Sequence, residues 1–198
     1  MTSRLGILGG TFDPPHVGHL LAAYAALESL ALERLVLIPA ARQPLKAGTP
    51  MTAPAHRLAM TRLLAADDPR LAVDPVEIER EGLSFTVDTM RRYRATMPET
   101  EFVLVMGEDT AATLPKWREP EALAALVRIV VLTRGTEPPR EVALPAGFRA
   151  ERLASRRIDV SATEIRERVR AGLPVRGFVT DAVAGYIATH QLYRTTNE

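Results

Sequence analysis

Residues 5–38 read LGILGGTFDPPHVGHLLAAYAALESLALERLVLI, and the changes of pattern within that stretch decide the fold. Leu5-Gly6-Ile7-Leu8 has the length and apolar character of a buried strand. Gly9-Gly10-Thr11 reads as a tight loop. From about Val17 to Leu30 the spacing turns helical, with Leu20, Tyr24, Leu27 and Leu30 on one stripe. Leu35 to Ile38 is a second apolar strand, stopped by Pro39. Two strands that are apolar throughout, joined by a helix, imply a parallel pair covered on both faces.

The remaining chain repeats the alternation. A loop with Pro44, Gly48, Pro50 and Pro54 leads to a helix over His56 to Ala66. Leu71-Ala72-Val73 starts a third strand, which Pro75 assigns to an edge or cuts short. Thr86 to Met97 reads as helix, Glu101 to Met106 as strand, Glu119 to Leu126 as helix and Ile129 to Leu132 as strand. Gly135 to Gly147 carries three prolines and reads as an exposed connection. Phe148 to Leu153 reads as one more strand, and helices over Ala162 to Ala171 and Asp181 to Thr189 close the chain. The expected fold is α/β, a Rossmann-like doubly wound, mostly parallel sheet with helices on both faces, forming one domain over residues 1–198. Ligands of such sheets bind beyond the carboxyl ends of the strands, near the switch point. The loops after Leu8, Ile38, Met106 and Leu132 are therefore the ones to read for chemistry.

Composition narrows the function. The 198 residues, 46% apolar, suffice for one full core. Twenty-five basic and 24 acidic residues leave a net charge of +1, which gives no case for a nucleic-acid or anionic-membrane partner. There is no cysteine, so disulfides, thiolate nucleophiles and cysteine–zinc sites are excluded. No apolar run has the length of a signal-peptide core or a membrane span. A cytoplasmic location is expected; homo-oligomerisation is left open.

The loop after the first strand, Gly9 to His19, reads GGTFDPPHVGH. Glycines let the backbone approach a ligand closely. Pro14 and Pro15 stiffen the approach to the helix. His16 and His19, three apart at the helix start, can face one ligand. Free N–H groups at a helix N-terminus favour anions. Gly-Gly alone would mark only a turn. A histidine pair would suit zinc only with further ligands, of which His56, His190 and carboxylates are the sole candidates. Backbone donors, the Thr11 hydroxyl and two imidazoles together point to phosphates.

The string GGTFDPPHVGH resembles the HxGH signature of the nucleotidyltransferase superfamily, in the form typical of bacterial nicotinate-nucleotide adenylyltransferases. Ser84-Phe85-Thr86-Val87-Asp88-Thr89 resembles that family's "SYTxDT" segment, and Met106-Gly107-Glu108-Asp109 with Trp117 its "GxD…W" segment. Val160-Ser161-Ala162-Thr163-Glu164-Ile165-Arg166 resembles its "ISSTxIR" motif. The matches run in order along nearly the whole chain. They imply an adenylyltransferase that uses ATP and nicotinate mononucleotide, in NAD biosynthesis.

The resemblance also implies roles. His16, His19, Lys46 and Arg166 would act on the reacting phosphates. Gly9, Gly10, Thr11, Phe12, Arg134, Ser161 and Thr163 would bind ATP. Thr86, Gly107, Asp109 and Trp117 would bind the mononucleotide, with Trp117 stacked on its pyridine ring. No arginine falls within the SFTVDT match, so the nicotinate charge would rest largely on backbone amides. Mg²⁺ is implied by the triphosphate and would be held mainly by phosphate and water, so no protein ligand is named. Two departures stand out: Ala162 where the family often has a second serine, and Leu45, in Arg42-Gln43-Pro44-Leu45-Lys46, where the family motif "NPPHK" has a histidine. Ser161 also reads as a helix N-cap with Glu164 reaching back, which by itself would only start a helix. The competing readings are another superfamily transferase, such as the phosphopantetheine enzyme, and a non-catalytic nucleotide sensor.

Overall fold

In the computed structural model, which describes residues 3–46, 48, 51–134, 148, 150–156 and 159–194 (for Lys46 and Arg134 the backbone alone), six strands form one sheet. They are β1 (Arg4–Gly10), β2 (Arg34–Pro39), β3 (Leu71–Val73), β4 (Glu101–Gly107), β5 (Arg128–Arg134) and β6 (Ala150–Ser155). Among the described residues every pairing is parallel, in the order β3-β2-β1-β4-β5-β6. The chain direction of winding reverses between β1 and β4, so the crevice of the switch point opens at their carboxyl ends. β3 is an edge strand, as Pro75 implies.

Eight α-helices connect or cover these strands among the described residues: α1 (Val17–Ser29), α2 (Pro54–Ala65), α3 (Val76–Arg80), α4 (Thr86–Thr96), α5 (Glu108–Ala111), α6 (Pro120–Leu126), α7 (Ala162–Arg170) and α8 (Asp181–Thr189). Pro54 and Pro120 begin α2 and α6, where a missing N–H costs nothing. Ser161 and Thr180 cap α7 and α8 through their hydroxyls. The short α3 and α5 escape the sequence pattern because four or five residues show no period.

The strands sort their side chains by alternation. Leu35, Leu37, Val103, Val105, Val130 and Leu132 pack on one face, with α1, α2, α7 and α8. Val36, Ile38, Phe102, Leu104, Ile129 and Val131 pack on the other, with α4 and α6. Ala23 and Ala26, both 0% exposed, let α1 lie close to the sheet; a larger side chain there would overpack at a cost of roughly 1–3 kcal/mol. Among the described residues no helix is long and apolar enough to cross a membrane.

The structure revises two readings. Gly9 and Gly10 are not a loop: they continue β1 and pair with Ile38 and Pro39. Glycine can stay extended, and the close approach explains its use, since a Cβ on Gly10 would lie 3.0 Å from the Phe12 ring. The last strand begins at Ala150, two residues later than the apolar pattern suggests. His56 and His190 tie α2 to α8: His56 Nδ1 lies 3.0 Å from the Tyr186 hydroxyl, and the His190 ring stacks 4.1 Å from Tyr186. Segment 135–147, read as an exposed connection, lies outside the described residues.

Candidate active site

A cleft of about 750 Å³ opens at the carboxyl ends of β1, β4 and β5, lined in part by Gly9, His16, His19, Trp117, Ser161 and Arg166. His16 is the N-cap of α1, in extended conformation. Its backbone N–H donates to Nδ1 of His19 at 3.1 Å. That bond fixes the tautomer, because an accepting Nδ1 leaves the proton of a neutral His19 on Nε2. The two rings lie 3.8 Å apart, and the Phe12 ring meets His19 edge-on at 4.9 Å. Burial, and then the nearness of His16, push the His19 pKa well below its ordinary value. His19 is therefore a neutral Nε2–H donor in the free protein. Gly18 makes room for this stack, since a Cβ there would come within 3.0 Å of the His16 ring.

Phe12 is only 1% exposed and has φ 51°. Its ring packs in the core, and the residue also borders the cleft. The Thr11 hydroxyl, expected to face phosphate, donates to Gln43 Oε1 at 3.2 Å. Ser161 Oγ accepts the Glu164 N–H at 3.1 Å, forming the first half of the expected capping box and leaving the α7 N-terminus at the cleft. Arg166 is braced beside the histidines: Nη1 donates to the Asp13 carbonyl at 2.8 Å and Nη2 to Thr163 Oγ1 at 3.2 Å.

The other end of the cleft is built from β4, α4 and the chain after α5. Gly107 ends β4, Asp109 sits in α5, and Thr86 is the first residue of α4; all three line the cleft. Trp117 packs on the core beneath β4 and β5 while its ring borders the cleft. Its indole N–H donates to Thr113 Oγ1 at 2.8 Å, and that hydroxyl donates to the Thr110 carbonyl at 2.7 Å. The ring plane is thus anchored. Lys46 and Arg134 have side chains outside the described residues; the backbone of Lys46 ends a 3₁₀ turn, Pro44–Lys46, and Arg134 ends β5. Leu45, in the position of the family histidine, lies at the rim, 46% exposed.

Several residues of the site escape the sequence reading. Arg118 places its guanidinium 4.8 Å over the Phe85 ring and 3.3 Å from Asp88, beside Thr86. Glu77, on α3, is buried at the cleft and accepts the Thr89 hydroxyl at 2.7 Å. Burial raises its pKa, opposed by hydroxyl bonds from Thr89 and Ser84. Asp13 is a junction: Oδ2 accepts the Thr52 N–H at 3.0 Å and Oδ1 the Tyr193 hydroxyl at 2.7 Å. Arg57 is fully buried against the loops of the cleft. No local pattern flags these residues; each meets partners distant in sequence. Among the described residues no three His, Asp or Glu side chains converge as metal ligands.

This arrangement has known relatives. Residues 7–168 match the cytidylyltransferase-like family model. A Gemmatimonas aurantiaca protein named "probable nicotinate-nucleotide adenylyltransferase" is 52% identical over 96% of this chain and 92% of its own. A protein of the same name from Herpetosiphon aurantiacus is 44% identical over 96% and 98%. The chain belongs to the nicotinate-nucleotide adenylyltransferase family. Among solved structures, the Plasmodium falciparum nicotinic acid mononucleotide adenylyltransferase complexed with NaAD superposes with a TM-score of 0.76, covering 96% of this chain and 97% of that one. At 17% identity this likeness concerns the fold. As a nicotinate-nucleotide adenylyltransferase family member, the chain is a nucleotidyltransferase with the Rossmann-like sheet that its sequence implies.

Proposed function

We propose that this chain, as one catalytic domain, transfers AMP from ATP to nicotinate mononucleotide, giving nicotinate adenine dinucleotide and pyrophosphate. The observation that carries the reading is one cleft with two unlike ends. The His16–His19 pair, the α7 N-terminus and Arg166 make an anion-binding end. Trp117, Thr86 and Asp109 make an end suited to a flat ring, a carboxylate and a ribose. Work in the cytoplasm suits this role.

A phosphate oxygen of the mononucleotide attacks the α-phosphorus of ATP. A new P–O bond forms there as the bond to the β-phosphate breaks, and pyrophosphate leaves with the electron pair. The nucleophile is already anionic, so no strong general base is required. Catalysis is positioning plus stabilisation of charge. His19, with its proton on Nε2, donates to the α-phosphate; His16 lies stacked beside it. Arg166, with Lys46, holds the β- and γ-phosphates, while the α7 N-terminus offers backbone donors and Gly9 and Gly10 let ATP approach the strand end closely. Mg²⁺, where bound with the triphosphate, would neutralise part of its charge. Such an ion would take most of its ligands from phosphate and water.

The test is pyrophosphate release from MgATP with a panel of acceptors: nicotinate mononucleotide, its amide and phosphopantetheine. Nicotinate mononucleotide is expected to be the best. A comparable rate with phosphopantetheine overturns the acceptor assignment, and no release with any acceptor favours a sensor.

A further inference from the structure

Arg57 lies outside the reacting groups, yet it is the largest of the side chains that are fully buried. It sits near the start of α2. Its guanidinium donates to four backbone carbonyls: Nε to Thr52 at 2.9 Å, Nη1 to Thr11 at 2.8 Å and Ala40 at 2.6 Å, and Nη2 to Ala41 at 2.8 Å. These carbonyls belong to the segment after β1, the segment after β2 and the segment before α2. A planar fork with fixed donor directions sets the relative orientation of three segments, not only their proximity.

The connections continue past the guanidinium. The Ala40 N–H donates to the Gly10 carbonyl at 2.9 Å. The Ala41 N–H donates to Ser84 Oγ at 2.9 Å, and the Ser84 N–H to the Arg42 carbonyl at 2.9 Å. Ser84 leads directly into Phe85 and Thr86, at the N-terminus of α4. One side chain thus contacts, at one remove, both the phosphate end and the mononucleotide end of the cleft. Packing does not require a charge here. A buried guanidinium is costly to desolvate, and an apolar side chain of similar volume would fill the same space. What an apolar side chain cannot supply is the four directed donors.

We propose that Arg57 is a positioning residue that couples the two substrate subsites, holding the phosphate-binding loop and the Ser84–Thr86 segment in one mutual register. The inference rests on the adenylyl-transfer reading above. If it holds, a defect at Arg57 reaches both substrates, whereas loss of the Ser84 hydroxyl affects the mononucleotide alone.

The experiment is a double-mutant cycle on the full chain with R57K, S84A and the double variant. Steady-state kinetics with both substrates are combined with amide hydrogen exchange. R57K keeps the charge but loses the planar fork. It should lower kcat/KM for both substrates by about tenfold or more, the scale of a few lost bonds to a charged donor. S84A should raise KM for nicotinate mononucleotide and leave that for ATP unchanged. The double variant should fall by clearly less than the product of the single effects. Exchange in R57K should speed up at residues 40–42 and 84–86. Multiplicative effects, with faster exchange confined to the neighbours of Arg57, overturn the proposal. Should R57K fail to fold, S84A decides: faster exchange at the Ala41 and Ala40 amides supports the link, and unchanged exchange there overturns it. A wild-type chain that releases no pyrophosphate defeats the adenylyl-transfer reading instead, and the exchange data still decide the coupling.

Discussion

The backbone N–H of His16 reaches Nδ1 of His19 over 3.1 Å, so the first residue of the HVGH string sets the tautomer of the last. His19 is thereby prepared as a donor through Nε2, on the side free of the backbone bond. His19→Ala should lower kcat by about 10²–10³, the usual effect of losing one donor to developing charge, with little change in melting temperature. His19→Gln, whose amide nitrogen reaches about as far as Nε2, should retain more activity than His19→Ala. Near-normal turnover in the alanine variant would remove His19 from the reaction.

The buried setting of His19 predicts a pH dependence. The folded-state pKa of His19 lies below its ordinary value, through burial and the nearby His16. Below about pH 6.5 the unfolded chain therefore binds a proton that the folded chain resists. This part of the stability is complete above the ordinary histidine range and is lost as pH falls toward the depressed folded value. Urea midpoints from pH 8 to 5 should decline less steeply in His19→Ala than in the wild type. Ring ¹⁵N shifts at pH 7 should report the Nε2–H form, and MgATP should raise the pKa, because contact with several negative charges favours the imidazolium. A protonated His19 in the free protein at pH 7 contradicts the assignment.

Trp117 is held by Thr113 through its indole N–H at 2.8 Å. Trp117→Ala should raise KM for the mononucleotide more than for ATP, on the scale of about 1–3 kcal/mol seen for base–aromatic stacking. Thr113→Val leaves the ring but frees its plane, and should give a smaller effect in the same direction. An equal change for both substrates would mark Trp117 as a packing residue only.

Arg118 places a cation over Phe85 and beside Thr86. It is the guanidinium beside the SFTVDT segment, held there by Asp88 and Glu119 at 3.3 and 3.4 Å. Arg118→Gln should narrow the preference for the acid mononucleotide over its amide by about tenfold, near the low end for a hydrogen bond to a charged group. The KM for ATP should stay unchanged. The ratio of kcat/KM values for the two acceptors reads this directly, and an unaltered ratio assigns the selection to the α4 amides alone.

Tyr193, beyond the last helix, donates to Asp13 Oδ1 at 2.7 Å, and burial with that carboxylate pushes its own pKa upward. Tyr193→Phe leaves Asp13 short of one partner in a buried place, a loss of about 1–3 kcal/mol. Melting should fall by several degrees. KM for ATP should rise more than that for the mononucleotide, since Asp13 lies in the phosphate loop. A variant with wild-type melting and kinetics would show the contact to be incidental.

The alternation of apolar runs and helical stripes determined the sheet, its parallel sense and the ends of its strands where chemistry sits. Strand and helix periods are local, and a stretch such as Leu35 to Ile38 carries its burial in its own composition. The GGTFDPPHVGH string likewise holds both histidines within one turn of helix, so their pairing is legible without a fold. What only the tertiary structure decided is the support of that string. The tautomer of His19 follows from the extended backbone at His16. The core position of the Phe12 ring follows from its left-handed φ. Arg57, Asp13, Arg118 and Tyr193 act through partners far away in the chain. A lone arginine or tyrosine has no period, and its burial and bonding depend on which distant carbonyls or carboxylates the folded chain carries to it.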